Sequence, residues 1–414
     1  MLNGLLLAFV ISMCGPASLL AQRPKRDAPA PKFDKQEITK GINKWSSPNF
    51  QMVCDLDDEE AQELLTRLET MLTNVSGYFG RKLPKSIDMY VAKKIENWPS
   101  DVLSQMDRSG IASIERGAGV TQGQRRESQG RVIDSEAVVY AVADHGTPQH
   151  ESVHAYCVLA FGRTGPVWFS EGMAEVGNYW KGGDDKTVST PDYVIDFIKK
   201  TEAKPLNEIV NNPLETTGDS WSNYTWRWAI CHLLGFNENY SPRFRPLGLA
   251  LLAGENVDFW KVYGGQEDEI QFEYEFFLKH ITQGYRVDLC SWDWKTKPLA
   301  PRKTGTLSKI SAARGWQATR VKVEAGTEYL VTATGNWRID SDGAELTADG
   351  NEKGAGRLVG IIMQDYKLSE EFELGQEATF TPTSTGALFV RCRDDWGAIG
   401  DNKGIISIKV KEAE

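Results

Sequence analysis

The chain is expected to fold as an α+β first domain followed by an all-β sandwich. Three observations carry that expectation. Apolar residues recur at helical spacing through much of residues 61–281, with short strand-like runs between them. Beyond Gly305 the apolar period changes to two, and Gly and Asp turns separate the runs. The length of 414 residues with 41% hydrophobic content exceeds one ordinary core, so two folded domains are expected.

Residues 5–13 form an apolar stretch too short to span a bilayer, followed by small residues and Leu19-Leu20-Ala21. Residues 1–21 are therefore read as a secretory signal, although no Lys or Arg precedes the apolar stretch. This implies a secreted protein, or one of the periplasm or cell envelope. Ile11-Ser12-Met13-Cys14 faintly resembles a lipobox, but Met13 fits it badly, and a lipid anchor at Cys14 is disfavoured. No later segment is long and apolar enough to be a transmembrane helix. The formal net charge is −10 and the basic residues are scattered, so nothing in the sequence suggests nucleic-acid binding or a polybasic membrane anchor, and neither is expected.

Residues 22–44, rich in Pro, Lys and Asp, read as a linker, and residues 45–289 as the first domain. Residues 49–55 suit a short strand. Ala61, Leu64, Leu65, Leu68, Met71 and Leu72 follow helical spacing behind an acidic first turn. Residues 87–92 and 138–143 read as strands, and the Gly-, Ser-, Gln- and Arg-rich stretch 105–132 as a long loop. A helix capped by Thr147, with Pro148 in its first turn, runs to Phe161 and stops at Gly162. Further helices are expected from Pro166, over 205–211, over 221–234 and over 269–281. Residues 290–305, broken by prolines, read as an interdomain linker. In 306–414, Val321 and Val323, then Tyr329, Val331 and Ala333, then Ile406, Ile408 and Val410 alternate as strands of a sandwich. The five cysteines beyond the signal show no CxxC spacing, which disfavours a cysteine zinc site, and their odd number leaves at least one thiol free or paired between chains. Cys157 and Cys231 read as small core residues.

The chemistry concentrates at residues 150–154, His-Glu-Ser-Val-His. On a helix His150 and His154 stand one turn apart on one face and can bind one zinc ion. Seventeen residues past His154 comes Glu171, inside Trp168-Phe169-Ser170-Glu171-Gly172-Met173-Ala174-Glu175, and it is the natural third ligand. A fourth position is left for water, as catalytic zinc requires. Glu151 is placed to act as general base on that water. Glu175, one turn after Glu171, is expected to support a ligand histidine through its other ring nitrogen. Gly172 is expected where two helices approach closely. An isolated HExxH arises by chance on solvated helices, but here the second motif is an independent match.

These residues resemble the gluzincin metallopeptidases, particularly the bacterial peptidase MA-like branch. The motif covers about 30 residues, and the helical pattern extends to about residue 285. The resemblance implies a zincin-like fold for the first domain, with His150, His154 and Glu171 as zinc ligands, Glu151 as base, and Glu175 behind a histidine. It also implies that residues 138–143 are the edge strand along which an extended peptide lies. Gluzincins stabilise the oxyanion with a tyrosine or histidine from a later helix. Tyr224 is the first choice and His232 the second, with a plain packing role as the alternative for each. His145 reads as a loop residue near the cleft and His280 as part of a solvated helix.

The C-terminal stretch Arg393-Asp394-Asp395-Trp396-Gly397-Ala398-Ile399-Gly400-Asp401-Asn402-Lys403-Gly404 gathers oxygen donors on a Gly-rich loop, which suits calcium. The alternative is an exposed hairpin loop whose Asp and Asn supply turn geometry. With Gly315-Trp316, residues 321–326 and Gly335-Asn336-Trp337, the loop resembles the calcium-dependent galactophilic lectins of the PA-I type. That resemblance implies calcium held by Asp394, Asp401 and Asn402, with carbonyls from Ala398 and from Ile339 or Asp340. Asp401 replaces an Asn of the family. The His and Gln that contact sugar in that family are missing from residues 345–357.

The leading expectation is a secreted zinc metallopeptidase hydrolysing peptide or protein substrates through zinc-bound water, with a module that tethers it to carbohydrate. One alternative is a non-catalytic glycan-binding or cell-surface protein with a relic metal site. Another is a zinc hydrolase of a non-peptide amide.

Overall fold

A mixed six-stranded sheet with helices packed on it forms the first region, and two antiparallel sheets form the second. The computed structural model describes residues 33–128, 131–211 and 220–413. The expected signal segment, Cys14 and residues 22–32 of the expected linker lie outside the described residues.

The first region opens with β1 (Asp34–Thr39), β2 (Ile42–Ser46) and β3 (Phe50–Cys54), paired antiparallel in succession. Residues 34–44 were expected in a linker. They form a hairpin instead, turned at Gly41 (φ 82°) and anchored by Ile42 and Trp45. α1 (Asp58–Phe79) begins with a capping box in which Asp57 accepts from the Glu60 N–H and Glu60 reaches back to the Asp57 N–H. Its stripe of Ala61, Leu64, Leu65, Leu68, Met71 and Leu72 is buried in the main core.

β4 (Ile87–Ala92) follows, then short α2 (Ser100–Leu103), α3 (Arg108–Glu115), β5 (Gly119–Ser128) and β6 (Arg131–Val142). The sheet order is β1-β2-β3-β4-β6-β5, with β3, β4 and β6 parallel and β5 antiparallel to β6. Two expectations are corrected here. The described residues of the stretch 105–132, expected as a long loop, form α3, β5 and the start of β6, with β5 and β6 paired antiparallel. Strand β5 exposes most of its side chains, so no apolar alternation marks it. The edge strand is β5 and not residues 138–143, because β6 is hydrogen-bonded on both sides.

Helices complete the region: α4 (Thr147–Phe161), α5 (Val167–Tyr179), α6 (Asp192–Lys200), α7 (Leu206–Val210), α8 (Trp221–Phe236), α9 (Ser241–Ala253), α10 (Phe259–Tyr263) and α11 (Glu267–His280). α9 escapes sequence reading because Pro242 and Pro246 look like breakers, yet Pro242 sits in its first turn.

The second region pairs β10 (Trp337–Arg338), β16 (Lys403–Glu412), β9 (Tyr329–Thr334) and β14 (Glu377–Phe380) in one sheet, with β7 (Thr306–Ser311) on β16. The other sheet orders β12 (Lys367–Leu368), β11 (Leu358–Gln364), β15 (Gly386–Cys392) and β8 (Gln317–Val323), with β13 (Phe372–Glu373) on β11. The alternating residues Val321, Val323, Tyr329, Val331, Ala333, Ile406, Ile408 and Val410 all lie in the core of this region.

Phe33–Glu414 form one compact unit. β11 explains why. Leu358 and Ile362 enter the sandwich core, while Val359, Ile361 and Met363 pack with Phe276, Trp292, Trp316 and Phe389 in a separate cluster. Burial of both faces turns alternation into a continuous apolar run. The 290–305 stretch is anchored at this junction by Trp292. Glu273 of α11 is buried there and accepts from Asn237 Nδ2 (2.6 Å), Trp294 Nε1 (2.7 Å), Asn239 Nδ2 (2.8 Å) and the Tyr240 hydroxyl (2.9 Å).

Candidate metal centre

α4 and α5 bring the expected ligands together. Gly146 is the N-cap of α4, and just before it the Asp144 carboxylate accepts from the Gly146 and Thr147 N–H groups and from the Thr147 hydroxyl, at 3.0, 2.6 and 2.8 Å. Thr147, expected as the cap, is already the first helical residue and donates to Asp144. Gly162 (φ 79°) ends the helix in the left-handed region.

His150 Nε2 and His154 Nε2 are 3.1 Å apart, and each is 3.3 Å from Glu171 Oε2. Among the described residues this trio is the one cluster of three or more His, Cys, Asp or Glu side chains able to share an ion. Zinc bonds of about 2.0–2.2 Å in a tetrahedron put neighbouring donors about 3.3–3.6 Å apart. The observed separations fall within about 0.2 Å of that range, so the donor set fits zinc in both chemistry and spacing.

The far side of each imidazole is engaged. His150 Nδ1 is 2.9 Å from Glu175 Oε1, and Glu175 Oε2 accepts from Asn178 Nδ2 at 2.9 Å. His154 Nδ1 is 3.2 Å from the Ser170 hydroxyl. Both rings thus present Nε2 inward. Burial alone would lower the His150 pKa, but its hydrogen bonds to Glu171 and Glu175 outweigh that and hold it well above the usual imidazole value. Burial pushes the Glu171 carboxyl up, but the two histidines overcome it and draw the carboxyl well below the usual range.

Glu151 lies in the same cavity of about 600 Å³, together with His150, His154, Glu171, Ser170 and Tyr224. Thr121 of β5 stands 2.8 Å from Glu151 Oε2 and from the Glu151 carbonyl oxygen. A Cβ on Gly119 would lie 2.7 Å from Glu151 Cγ, so the edge strand leaves room for this carboxylate only with glycine there. A Cβ on Gly172 would fall 2.4 Å from Cys231 Sγ and 2.6 Å from the Arg227 carbonyl oxygen, which is the close helix approach expected between α5 and α8.

Tyr224 reaches the site: its ring centroid is 6.1 Å from that of His150. His232 does not. It is buried between Trp228, Phe236 and Phe277, and burial lowers its pKa to about 4. His145 is an exposed residue just before α4, as a loop residue should be. His280 was expected on a solvated face. It packs at the junction, 4.4 Å from the Phe276 ring and 5.0 Å from that of Trp396.

Thr121, Ser170 and Gln149 were missed by sequence reasoning. Gln149 is fully buried and donates to the Gly177 and Trp180 carbonyls, tying α4 to α5. Ser170 could have been found from its place beside Glu171. Thr121 carried no signal, because its strand was read as loop.

The C-terminal loop holds a second group of oxygens. Asp394 Oδ2 and Asn402 Oδ1 are both buried and accept no hydrogen bond among the described residues. Burial raises the Asp394 pKa. Ala398, Asp401 and Asp340 are exposed. The Arg338–Lys403 pairing brings the chain at Ile339 alongside Asn402. The loop is not simply an exposed hairpin. Trp396 lies against Arg391 (4.0 Å), His280 (5.0 Å) and Phe276 (5.3 Å), and a Cβ on Gly397 would strike the Gln283 carbonyl.

No protein-family model and no curated protein matches the chain. A solved structure, the EclA N-terminal domain described as a PllA-like lectin, is similar to 26% of this chain and 95% of its own, at 21% identity and a TM-score of 0.23. At that TM-score the likeness decides neither the fold nor the ligand of any region here. No described helix is long and apolar enough to cross a membrane.

Proposed function

We propose that the first region is a zinc-dependent hydrolase of the HExxH…E kind that cleaves peptide bonds. The observation that carries the reading is the meeting of His150 Nε2, His154 Nε2 and Glu171 Oε2 within 3.3 Å of one another beside Glu151. These three side chains would hold the ion. When bound, zinc supplies Lewis-acid polarisation of a carbonyl and acidifies water to a pKa of about 7.

The remaining chemistry belongs to the chain. The Thr121 hydroxyl, 2.8 Å from both Glu151 Oε2 and the Glu151 carbonyl oxygen, holds this carboxylate in place. The Glu151 carboxylate takes the proton as water adds to the scissile carbonyl carbon, and it returns that proton to the amine nitrogen as the C–N bond breaks. Tyr224 supplies a hydroxyl toward the developing oxyanion. The open edge of β5 offers backbone donors and acceptors to an extended peptide.

In the second region, Asp394 and Asn402 would hold calcium, supported by their two donorless buried oxygens. Carbohydrate binding there is a weaker reading, since Trp396 and Gly397 are packed against the first region. The signal-like N-terminus supports secretion or a cell-envelope location.

The test is turnover of a mixed peptide library by the zinc-loaded protein. Glu151→Gln should lower the rate about 10²–10⁴-fold with zinc content unchanged. Equal rates in the two proteins would remove this mechanism.

A further inference from the structure

The cleft continues past the candidate metal centre. Thr121, Val158 and Thr164 line both the cavity at the histidines and a second cavity of about 780 Å³. This second space follows β5 through Gly123 and Arg125, then passes the 162–166 turn to the end of α9. Trp168, Leu251 and Phe259 give it an apolar wall, and Arg163 gives it a cation.

The Arg163 guanidinium occupies a niche made for it. A Cβ on Gly254 would fall 1.7 Å from Nη1, and Gly254 ends α9 at φ 78°. Both the niche and the backbone require glycine there. Arg125 is already satisfied: it pairs with Glu127 at 3.0 Å and donates to the Gly162 carbonyl at 3.2 Å. Arg163 is half-buried, and among the described residues its guanidinium makes no ion pair and donates no hydrogen bond. Glu255, the carboxylate on the cavity wall, is exposed and does not pair with it. Arg116 lines the cavity at the histidines. The cleft of a chain with net charge −10 is thus edged by three guanidinium groups.

We infer that the Arg163 cavity is a subsite for an acidic side chain of the substrate, so that the protein selects peptides carrying Asp or Glu. A carboxylate satisfies a guanidinium fork with two parallel hydrogen bonds and restores the pairing that a part-buried cation lacks. The position follows from the strand. Thr121 marks the reacting end, and the cavity spans Gly123 to Arg125. At about 3.4 Å per residue the acidic side chain stands about two to four residues from the cleaved bond. The inference rests on the peptidase reading above.

The test uses the full-length, zinc-loaded protein and a peptide library sequenced after digestion. Wild type should enrich Asp and Glu at one position two to four residues from the cut, Arg163→Glu should shift that position to Lys and Arg, and Arg163→Lys should keep the acidic preference. In parallel, a Glu151→Gln background should bind a fluorescent Glu-containing peptide at least about tenfold more tightly than its Gln isostere. Adding Arg163→Gln should erase that ratio, with circular dichroism confirming the fold. Peptide cleavage with no acidic preference, or a preference unmoved by Arg163→Glu, overturns the subsite and leaves the peptidase reading standing. No cleavage and no binding of any peptide overturns both.

Discussion

Glu175 Oε1 stands 2.9 Å from His150 Nδ1, and that contact determines which nitrogen of the ring faces Glu171. Glu175→Ala would free the ring to rotate and change tautomer. Zinc affinity, read by competition with a chromogenic chelator, should fall about 10–100-fold. Thermal stability without metal should change far less than it does for a core substitution. Unchanged zinc affinity would mean that the contact does not position the ligand.

Gly172 is the second support. In Gly172→Ala the new methyl must displace Cys231 Sγ or the α8 backbone at Arg227, both under 3 Å away. Overpacking of this kind costs about 1–3 kcal/mol. Chemical denaturation should show that loss, together with weaker zinc binding, because Glu171 precedes Gly172 directly.

How much of this was legible depended on what each residue faces. The α1 stripe could be read because one face of that helix meets the core and the other does not; α4 has no exposed residue, and it was legible instead from the residue types and spacing of His150 and His154 and from the stop at Gly162. The antiparallel pair of β5 and β6 could not be read, since the edge strand faces solvent on most positions and its Thr, Gly and Arg look like loop residues. The edge assignment to residues 138–143 failed for the same reason: the strand beyond it was invisible. The sandwich strands were found where alternation survived, as at Ile406, Ile408 and Val410. The packing of Trp396 onto Phe276 and His280 joins residues over 100 positions apart, and no local pattern carries it.

Glu273 makes junction stability depend on pH. Burial pushes its carboxyl pKa up to about 7, and four side-chain hydrogen bonds only partly offset this. Its folded-state pKa is raised above the unfolded value, so its contribution is full below about pH 4.5 and is lost as pH rises toward about 7. The size is on the order of 3 kcal/mol. Unfolding free energy measured from pH 4.5 to 8 should carry this slope, and Glu273→Gln should flatten it while lowering stability at low pH. An identical slope in the variant would assign the effect to other groups.

Trp396 joins the two regions. Trp396→Ala removes an aromatic side chain from between Arg391, Phe276 and His280, a loss of about 3–5 kcal/mol for a well-packed ring and less for this half-buried one. Limited proteolysis should then cut within residues 290–305, while wild type resists. Equal resistance would mean that the cluster around Trp292 holds the junction unaided.

The central claim is that His150, His154 and Glu171 grip one metal ion together. Elemental analysis of the purified protein measures this most directly. The account predicts about one zinc per chain in wild type and close to none in a variant carrying His150→Ala, His154→Ala and Glu171→Ala. A folded wild-type protein that takes up no zinc after metal loading, or a triple variant that keeps it, would contradict the account.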